Sequence, residues 1–298
     1  MLHETITLPP DADSPLYIVA KRYWMPGTGI DDAGPSQSEM GRAIAAQALT
    51  LVFLHSTSFH KETWEPALED LFQCVIGQSG PNHGGSCEKY AMAVHRFMTA
   101  RPKLGNGQRV DFRTRKLVGI GHSLGGNAMV MLQRIQPTFD FSSLIIVEPM
   151  VSPEGGHHLY PLREKLVAGA AKRRDRWSSR EEVSSYFKSL KATSQWDPRV
   201  LEKFINYGTH WRQESEAFVL SCSRKQEIVM YMDEGGPTKP VEALNIISQR
   251  MPVHLILGDK KDLIPPHIHR SLTDPKSGRR FASIHGIPGV GHLVNIFS

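Results

Sequence analysis

Short apolar runs, separated by polar or turn-rich segments, recur along the chain. Residues 16–24 alternate between apolar and polar side chains and are rich in β-forming types. Brief apolar runs follow at residues 51–54, 74–76, 117–120, 144–147, 253–257 and 281–284. Short apolar strands that alternate with helices are typical of a mostly parallel sheet that is covered on both faces. The pattern therefore predicts an α/β fold with a mostly parallel central sheet flanked by helices.

The segment over residues 151–250 has a different pattern, dense in charge and in helix signals. Ser179 with Glu182 resembles a capping box and predicts a helix over residues 179–190. An Asp-Pro pair followed ten residues later by glycine predicts a second helix over residues 197–208. We expect this segment to form a helical cap inserted into the sheet domain.

This interpretation divides the chain into two units. Residues 1–150 and 251–298 would form the core, and residues 151–250 the cap. Residues 26–37, which are rich in Gly, Pro, Asp and Ser, predict an exposed loop.

Composition indicates an ordinary folded protein and argues against binding of nucleic acid. The chain has 298 residues, of which 40% are hydrophobic and 22% charged, as in an ordinary folded protein that fits one large α/β domain with an insertion. The net charge of +5 sits in short clusters, without a long basic run interleaved with aromatic residues. We therefore expect no nucleic-acid partner.

Cysteine content and apolar runs indicate the compartment. The three cysteines, Cys74, Cys87 and Cys222, have no CxxC spacing, which predicts reduced thiols in an intracellular protein and neither disulfides nor a zinc site. The N-terminus lacks the features of a signal peptide, and no apolar run approaches the roughly 20 residues of a membrane helix. We expect a soluble protein without a membrane span, metal or cofactor.

A GxSxG pattern supplies the candidate nucleophile. Residues 121–126 read Gly-His-Ser-Leu-Gly-Gly, between a strand candidate at 116–120 and a helix candidate at 127–134. A serine at the sharp turn between strand and helix needs small neighbours two residues away, and Gly121 and Gly125 provide them. The pattern predicts that Ser123 is a nucleophile.

A serine hydroxyl needs a base to remove its proton. His292, in Pro-Gly-Val-Gly-His, follows the last strand candidate on a loop beyond the carboxyl end of that strand. Of the 14 histidines, only His292 has this position, so we predict it to be the base.

The carboxylate that orients the histidine has two candidate locations. Glu148 ends the apolar strand candidate at 144–147, whereas Asp259 and Asp262 follow the later one at 253–257. Both locations keep the chain order Ser, acid, His. An apolar strand that ends abruptly in a carboxylate favours Glu148, with Asp262 as the alternative.

The oxyanion of an acyl-transfer intermediate needs backbone N–H donors. We predict the N–H of Leu124, which follows the nucleophile, and the N–H of Thr57, on the loop after residues 51–54. His55 on that loop and His83 further on are interpreted as loop braces.

Three further histidines are not expected to act in catalysis. We expect the side chain of His122 to point away from its neighbour Ser123. His157 and His158 have no carboxylate or cysteine at ligand spacing and are interpreted as a solvated cap entrance.

The chain resembles α/β-hydrolases at several landmarks: Phe53-Leu54-His55, residues 59–66, the Pro-Asn-His-Gly segment from 81, the elbow at 121–126 and Gly289-Val-Gly-His292. Residues 176–182 and 196–201 are similar to a narrower fungal group. That group includes a peroxisomal lipase-like hydrolase and the hydrolases of Alternaria host-selective toxin pathways.

The resemblance implies an α/β-hydrolase fold with the cap after the sixth strand, and Ser123, Glu148 and His292 as catalytic residues. It also implies a small-molecule acyl ester or thioester substrate, in the making of an epoxy-decatrienoic acid moiety, and a peroxisomal location. The chain departs from the group at Ser56, where glycine is usual, at Lys261, where many relatives carry aspartate, and at its ending Ile-Phe-Ser, which is not a peroxisomal tripeptide. The expected location is intracellular: peroxisomal by the resemblance, or otherwise cytoplasmic.

Two other functions remain open on the sequence. An acyltransferase would use the same residues with an alcohol or amine in place of water. A catalytically silent protein would keep the fold and hold a pathway intermediate.

Overall fold

The computed structural model describes residues 1–11, 17–24, 49–71, 77–79, 86–260 and 262–294. Several sequence interpretations lie outside these residues: the loop at 26–37, the strand at 74–76 with Cys74, the Pro-Asn-His-Gly segment from 81 with His83, Lys261 and the C-terminal Ile-Phe-Ser. Within the described part, eight strands form one sheet in the order β1-β2-β4-β3-β5-β6-β10-β11.

β1 pairs with β2, and β2 with β4, in antiparallel orientation. The remaining neighbours in this order, from β4 across to β11, pair in parallel. The predicted, mostly parallel sheet is therefore confirmed. Its strands are β1 (Leu2–Leu8), β2 (Ile18–Trp24), β3 (Leu49–Leu54), β4 (Gly77–Ser79), β5 (Lys116–His122), β6 (Phe141–Val147), β10 (Val253–Gly258) and β11 (Ser283–Ile287).

Helices cover both faces of this sheet, as predicted. In β3, Val52 and Leu54 pack into the main hydrophobic core, whereas Leu51 and Phe53 pack on the opposite face. Alternate side chains of a strand point to opposite faces, so a run without polar interruption indicates burial on both sides. The flanking helices are α1 (Glu65–Leu71), α2 (Cys87–Thr99), α3 (Leu124–Leu132), α8 (Lys239–Ile247) and α9 (Pro266–Thr273).

Between β6 and β10, the chain forms four more helices and a small antiparallel sheet of order β7-β9-β8, which the sequence did not predict. The helices are α4 (Tyr160–Lys172), α5 (Arg180–Ser189), α6 (Pro198–Tyr207) and α7 (Arg224–Tyr231), and the strands are β7 (Arg176–Trp177), β8 (Thr209–Arg212) and β9 (Ala217–Leu220). Trp177, Phe187 and Phe204 belong to a separate hydrophobic cluster here.

The following helix, α8, packs instead in the main core, with Val241 and Leu244 buried there. We therefore propose that the cap comprises the segment from about residue 151 up to α8. The wider boundary at 250 stays a prediction.

The two helices predicted from capping signals are confirmed. Ser179 is the N-cap of α5, and its hydroxyl accepts the N–H of Glu182, but the Glu182 carboxylate turns to the N–H and hydroxyl of Ser178 instead of completing the box. Asp197 caps α6 by accepting the N–H of Arg199.

Candidate active site

Ser123 stands on the tight turn between β5 and α3, with φ 54° and ψ −120°. This conformation is costly for a residue with a side chain and marks a strained turn. A Cβ on Gly121 would lie 2.5 Å from the carbonyl oxygen of Gly125, and one on Gly125 would overlap the carbonyl oxygens of Leu54 and His55. The strand, turn and helix predicted around Ser123 are thus confirmed, and close backbone contact explains both glycines.

His292 lies between the serine and a carboxylate that are far apart in the chain. Its Nε2 is 3.0 Å from Ser123 Oγ, and its Nδ1 is 3.2 Å from Glu148 Oε2. All three residues are buried, at 4%, 2% and 4% exposure for Ser123, Glu148 and His292. Low exposure strengthens the electrostatic coupling between them. The arrangement can pass a proton from the serine hydroxyl to the imidazole and balance the resulting charge with the carboxylate.

Glu148 directly follows β6 at a positive φ of 44°. Its N–H donates to the Ile256 carbonyl at 2.9 Å, and its Oε1 accepts the N–H of Gly258 at 2.6 Å. Burial raises the pKa of the carboxyl, but His269, His292 and the Gly258 N–H outweigh this and hold its pKa at about 2. Glu148 is therefore an ionised carboxylate at neutral pH, fixed by neighbouring strands.

The competing aspartates hold the histidine loop through its main chain. Asp262 Oδ1 accepts the N–H of His292 at 2.9 Å, and Asp259 Oδ1 accepts the N–H of Gly289 at 2.9 Å. Neither bond involves the imidazole ring, whose Nδ1 faces Glu148.

His122 has a structural contact that the sequence did not indicate. Its Nε2 donates to the main-chain carbonyl of His292 at 2.8 Å. Burial lowers the pKa of His122 to about 3, so the ring is neutral. Since 170 positions separate the partners, no local pattern could have revealed this bond.

The loop after β3 borders Ser123. Thr57 and Leu124 line the same cavity as Ser123, and the role of their N–H groups as oxyanion donors stays a prediction. His55 Nδ1 lies 2.8 Å from the Ser56 carbonyl oxygen, which fits its expected bracing role. Ser56 is not among the described residues with positive φ, so its Cβ does not strain the turn.

The histidine pair at the cap stacks at the start of α4. The ring centroids of His157 and His158 are 4.1 Å apart, and His158 lies 5.3 Å from His267 of α9. Within the described ranges, no group of three or more His, Cys, Asp or Glu residues is arranged to hold a metal ion. In the same part of the chain, no helix is long and apolar enough to cross a bilayer.

A cavity of about 390 Å³ opens beside Ser123, between the main sheet and the proposed cap segment. Apolar side chains form much of its wall, including Phe59, Met150, Leu159, Leu166, Trp196 and Met230. Its polar groups include an ion pair between Arg173 and Glu227, and Tyr231 donates its hydroxyl to Glu227 Oε1 at 2.9 Å. A pocket of this size and polarity fits a small, largely apolar molecule with a few polar groups.

Comparison with known proteins places these features in a family. Residues 51–297 match the alpha/beta hydrolase family. The chain is 24% identical over 180 residues to the type I acyl-CoA thioesterase mpaH of Penicillium roqueforti, a region covering 55% of this chain and 40% of that protein. It is 31% identical over 123 residues to the abhydrolase domain-containing protein ACTT2-1 of Alternaria alternata, covering 39% and 44%. The matched regions thus span less than half the length of these relatives.

Solved structures share the architecture over nearly the whole chain. The peroxisomal alpha-beta-hydrolase Lpx1 of Saccharomyces cerevisiae has a TM-score of 0.69 at 20% identity, covering 99% of this chain and 84% of that one. The thioesterase domain from the curacin biosynthetic pathway has a TM-score of 0.66 at 15% identity, covering 99% and 96%. These structures share the fold of the chain. Because the family match covers most of its length, the chain belongs to the alpha/beta hydrolase family.

Proposed function

We propose that this hydrolase cleaves an acyl ester or thioester with Ser123 as nucleophile, His292 as base and Glu148 as the orienting acid. The proposal rests on the position of His292 between the other two residues. Its Nε2 is 3.0 Å from Ser123 Oγ, and its Nδ1 is 3.2 Å from Glu148 Oε2. Nδ1–H donates to Glu148, which leaves Nε2 free to accept the serine proton.

The reaction then runs in two halves. Ser123 Oγ bonds to the substrate carbonyl carbon as its proton moves to His292 Nε2, and the oxyanion accepts the N–H groups of Thr57 and Leu124. His292 returns the proton to the leaving alcohol or thiol as its bond to carbon breaks, which leaves an acyl-enzyme. Water attacks the acyl carbon and gives its proton to the same nitrogen. As the bond from the acyl carbon to Ser123 Oγ breaks, His292 returns that proton to Oγ, which releases the acid and free Ser123.

The substrate class rests on the cavity and on the relatives. The largely apolar wall suits an acyl chain or another lipid-like group. Among the relatives are an acyl-CoA thioesterase and a thioesterase domain, and this favours a thioester as much as an oxygen ester. The likeness to an Alternaria abhydrolase domain-containing protein is consistent with a place in fungal toxin biosynthesis, in the making of an epoxy-decatrienoic acid moiety. A peroxisomal location stays a prediction.

A panel of acyl p-nitrophenyl esters of graded chain length, with matched acyl thioesters, tests the proposal. We expect turnover by the wild type, a preference among chain lengths, and background rates for Ser123→Ala. Addition of alcohols or amines, followed by product analysis, separates hydrolysis from acyl transfer. A folded wild type that binds these acyl compounds without turning them over would instead be a silent binding protein.

A further inference from the structure

A second imidazole faces the carboxylate of Glu148. His269, on α9, is 7% exposed, and its Nε2 lies 3.5 Å from Glu148 Oε2. Neither ring nitrogen of His269 has a hydrogen-bond partner within the described residues. The Glu148 carboxylate is the charged group that the ring contacts. A buried polar group without a bonded partner is costly and calls for an explanation.

The contact falls on a particular oxygen. Glu148 Oε1 is taken by the N–H of Gly258 at 2.6 Å, whereas Oε2 faces both His292 Nδ1 at 3.2 Å and His269 Nε2 at 3.5 Å. An ionised carboxylate oxygen has two lone pairs and can accept from both rings. Catalytic contacts are often long before the substrate binds and tighten when charge develops on the base.

The two imidazoles therefore share one acceptor. A donor on Oε2 other than His292 withdraws part of the negative charge that would stabilise the imidazolium of His292. The same donor restricts rotation of the carboxylate about its side chain and keeps it in line with His292. The other groups near His292 are Ser123, the neutral ring of His122 at 5.2 Å between centroids, and Asp262 at its main-chain N–H.

We propose that His269 is a positioning residue that donates through Nε2–H to Glu148, fixing the acid against His292 and moderating the basicity of His292. This inference rests on the proposed function, since it assigns Glu148 and His292 to catalysis. It adds a fourth member to the site, from a helix that contributes nothing to the contact with Ser123.

Three substitutions separate this role from simple packing. His269→Leu removes the donor, and His269→Met does the same with a more adaptable side chain if the leucine variant does not fold. His269→Gln keeps an N–H donor near the position of Nε2. His267→Leu, on the same helix but beside His158, is the matched control.

The readout is the pKa of the His292 imidazole, followed by NMR of ¹⁵N-labelled histidine and assigned with His292→Ala. We expect His269→Leu to raise the pKa of His292 by roughly half to one unit, because Glu148 Oε2 then serves His292 alone. His269→Gln should stay close to wild type, and His267→Leu should not change it. In turnover, His269→Leu should shift the acid limb of kcat/KM to higher pH and lower kcat about fivefold to tenfold with little change in KM.

An unchanged His292 pKa in both His269→Leu and His269→Met would overturn the inference, whatever the turnover. The same holds if His269→Gln shifts the pKa as far as His269→Leu, since the donor would then be irrelevant. Because the NMR titration needs no substrate, it decides on His269 even if the wild type hydrolyses none of the esters, a result that would count against the proposed function alone.

Discussion

His122 Nε2 lies 2.8 Å from the main-chain carbonyl oxygen of His292 and holds the proposed base by its backbone. The Asp262 carboxylate takes the N–H of the same residue at 2.9 Å, so both polar groups of the His292 main chain are fixed. Backbone anchoring on both sides limits the movement of a loop residue whose ring must stay within reach of a serine and a carboxylate at once.

The first prediction concerns this anchor. His122→Leu should lower kcat about tenfold, because small misplacement of a base is costly, while leaving KM within about twofold. His122→Gln, which retains a donor near Nε2, should recover most of the rate. Steady-state kinetics measures kcat and KM of both variants, and circular dichroism checks that they fold. An equal loss of kcat in the two variants would indicate a role in packing and not in the hydrogen bond.

The second prediction tests the choice of acid. Glu148→Gln should lower turnover by about 10³-fold or more, because it removes the charge that balances protonated His292. Asp262→Asn should cost little, since an asparagine Oδ1 still accepts the His292 N–H. Measured kcat values for the two variants, side by side, check this, and the opposite ranking would move the acid to Asp262.

The proposed nucleophile and base could be predicted from the sequence because their signals are local. The elbow occupies six adjacent residues around Ser123, and His292 lies on the loop that follows the last strand of the sheet. The choice between Glu148 and Asp262 could not be completed from sequence, since both follow strands whose carboxyl ends meet at one edge. Only the three-dimensional contacts show that one carboxylate faces the ring and the other the main chain.

Two strands that sequence patterns missed or shifted lie at the exposed edges of the main sheet. Strand β1 was not predicted, because it lies at the edge of the sheet with only Ile6 of its residues buried. Strand β11, at the other edge, was predicted at 281–284 but lies at Ser283–Ile287, where four of five residues are exposed. Without burial on one face, the apolar pattern that marks a strand weakens. The contacts of His122 and His269 join distant segments and leave no local signal.

The third prediction follows from the low pKa of Glu148. A carboxyl whose pKa is depressed in the folded state stabilises the protein above its unfolded pKa, and this contribution is lost as the pH falls through the folded value. With a folded pKa of about 2, the contribution should disappear between about pH 4.5 and pH 2 and amount to on the order of 3 kcal/mol. Urea unfolding at a series of pH values measures it. In Glu148→Gln, the free energy of unfolding should depend less on pH in this window. Identical curves for the variant and the wild type would refute the low pKa of Glu148.

The fourth prediction contrasts two glycines. Gly125→Ala should destabilise the protein by more than about 3 kcal/mol, because its Cβ would overlap the carbonyl oxygens of Leu54 and His55. Gly169→Ala, in α4, adds a Cβ with no heavy atom within 4 Å and should stabilise it by about 0.5–1 kcal/mol. Thermal unfolding of both variants gives the comparison. A Gly125→Ala protein as stable as the wild type would mean that the elbow is looser than described.

The role of Ser123 as a nucleophile activated by His292 can be tested directly with a fluorophosphonate. Peptide mass spectrometry then identifies the residue that the reagent modifies. We expect a single rapid adduct on Ser123 in the wild type. It should be absent from Ser123→Ala and form far more slowly in His292→Ala, because the serine then lacks its base. Labelling that persists unchanged in Ser123→Ala, or a folded wild type that does not react, would contradict this role of Ser123.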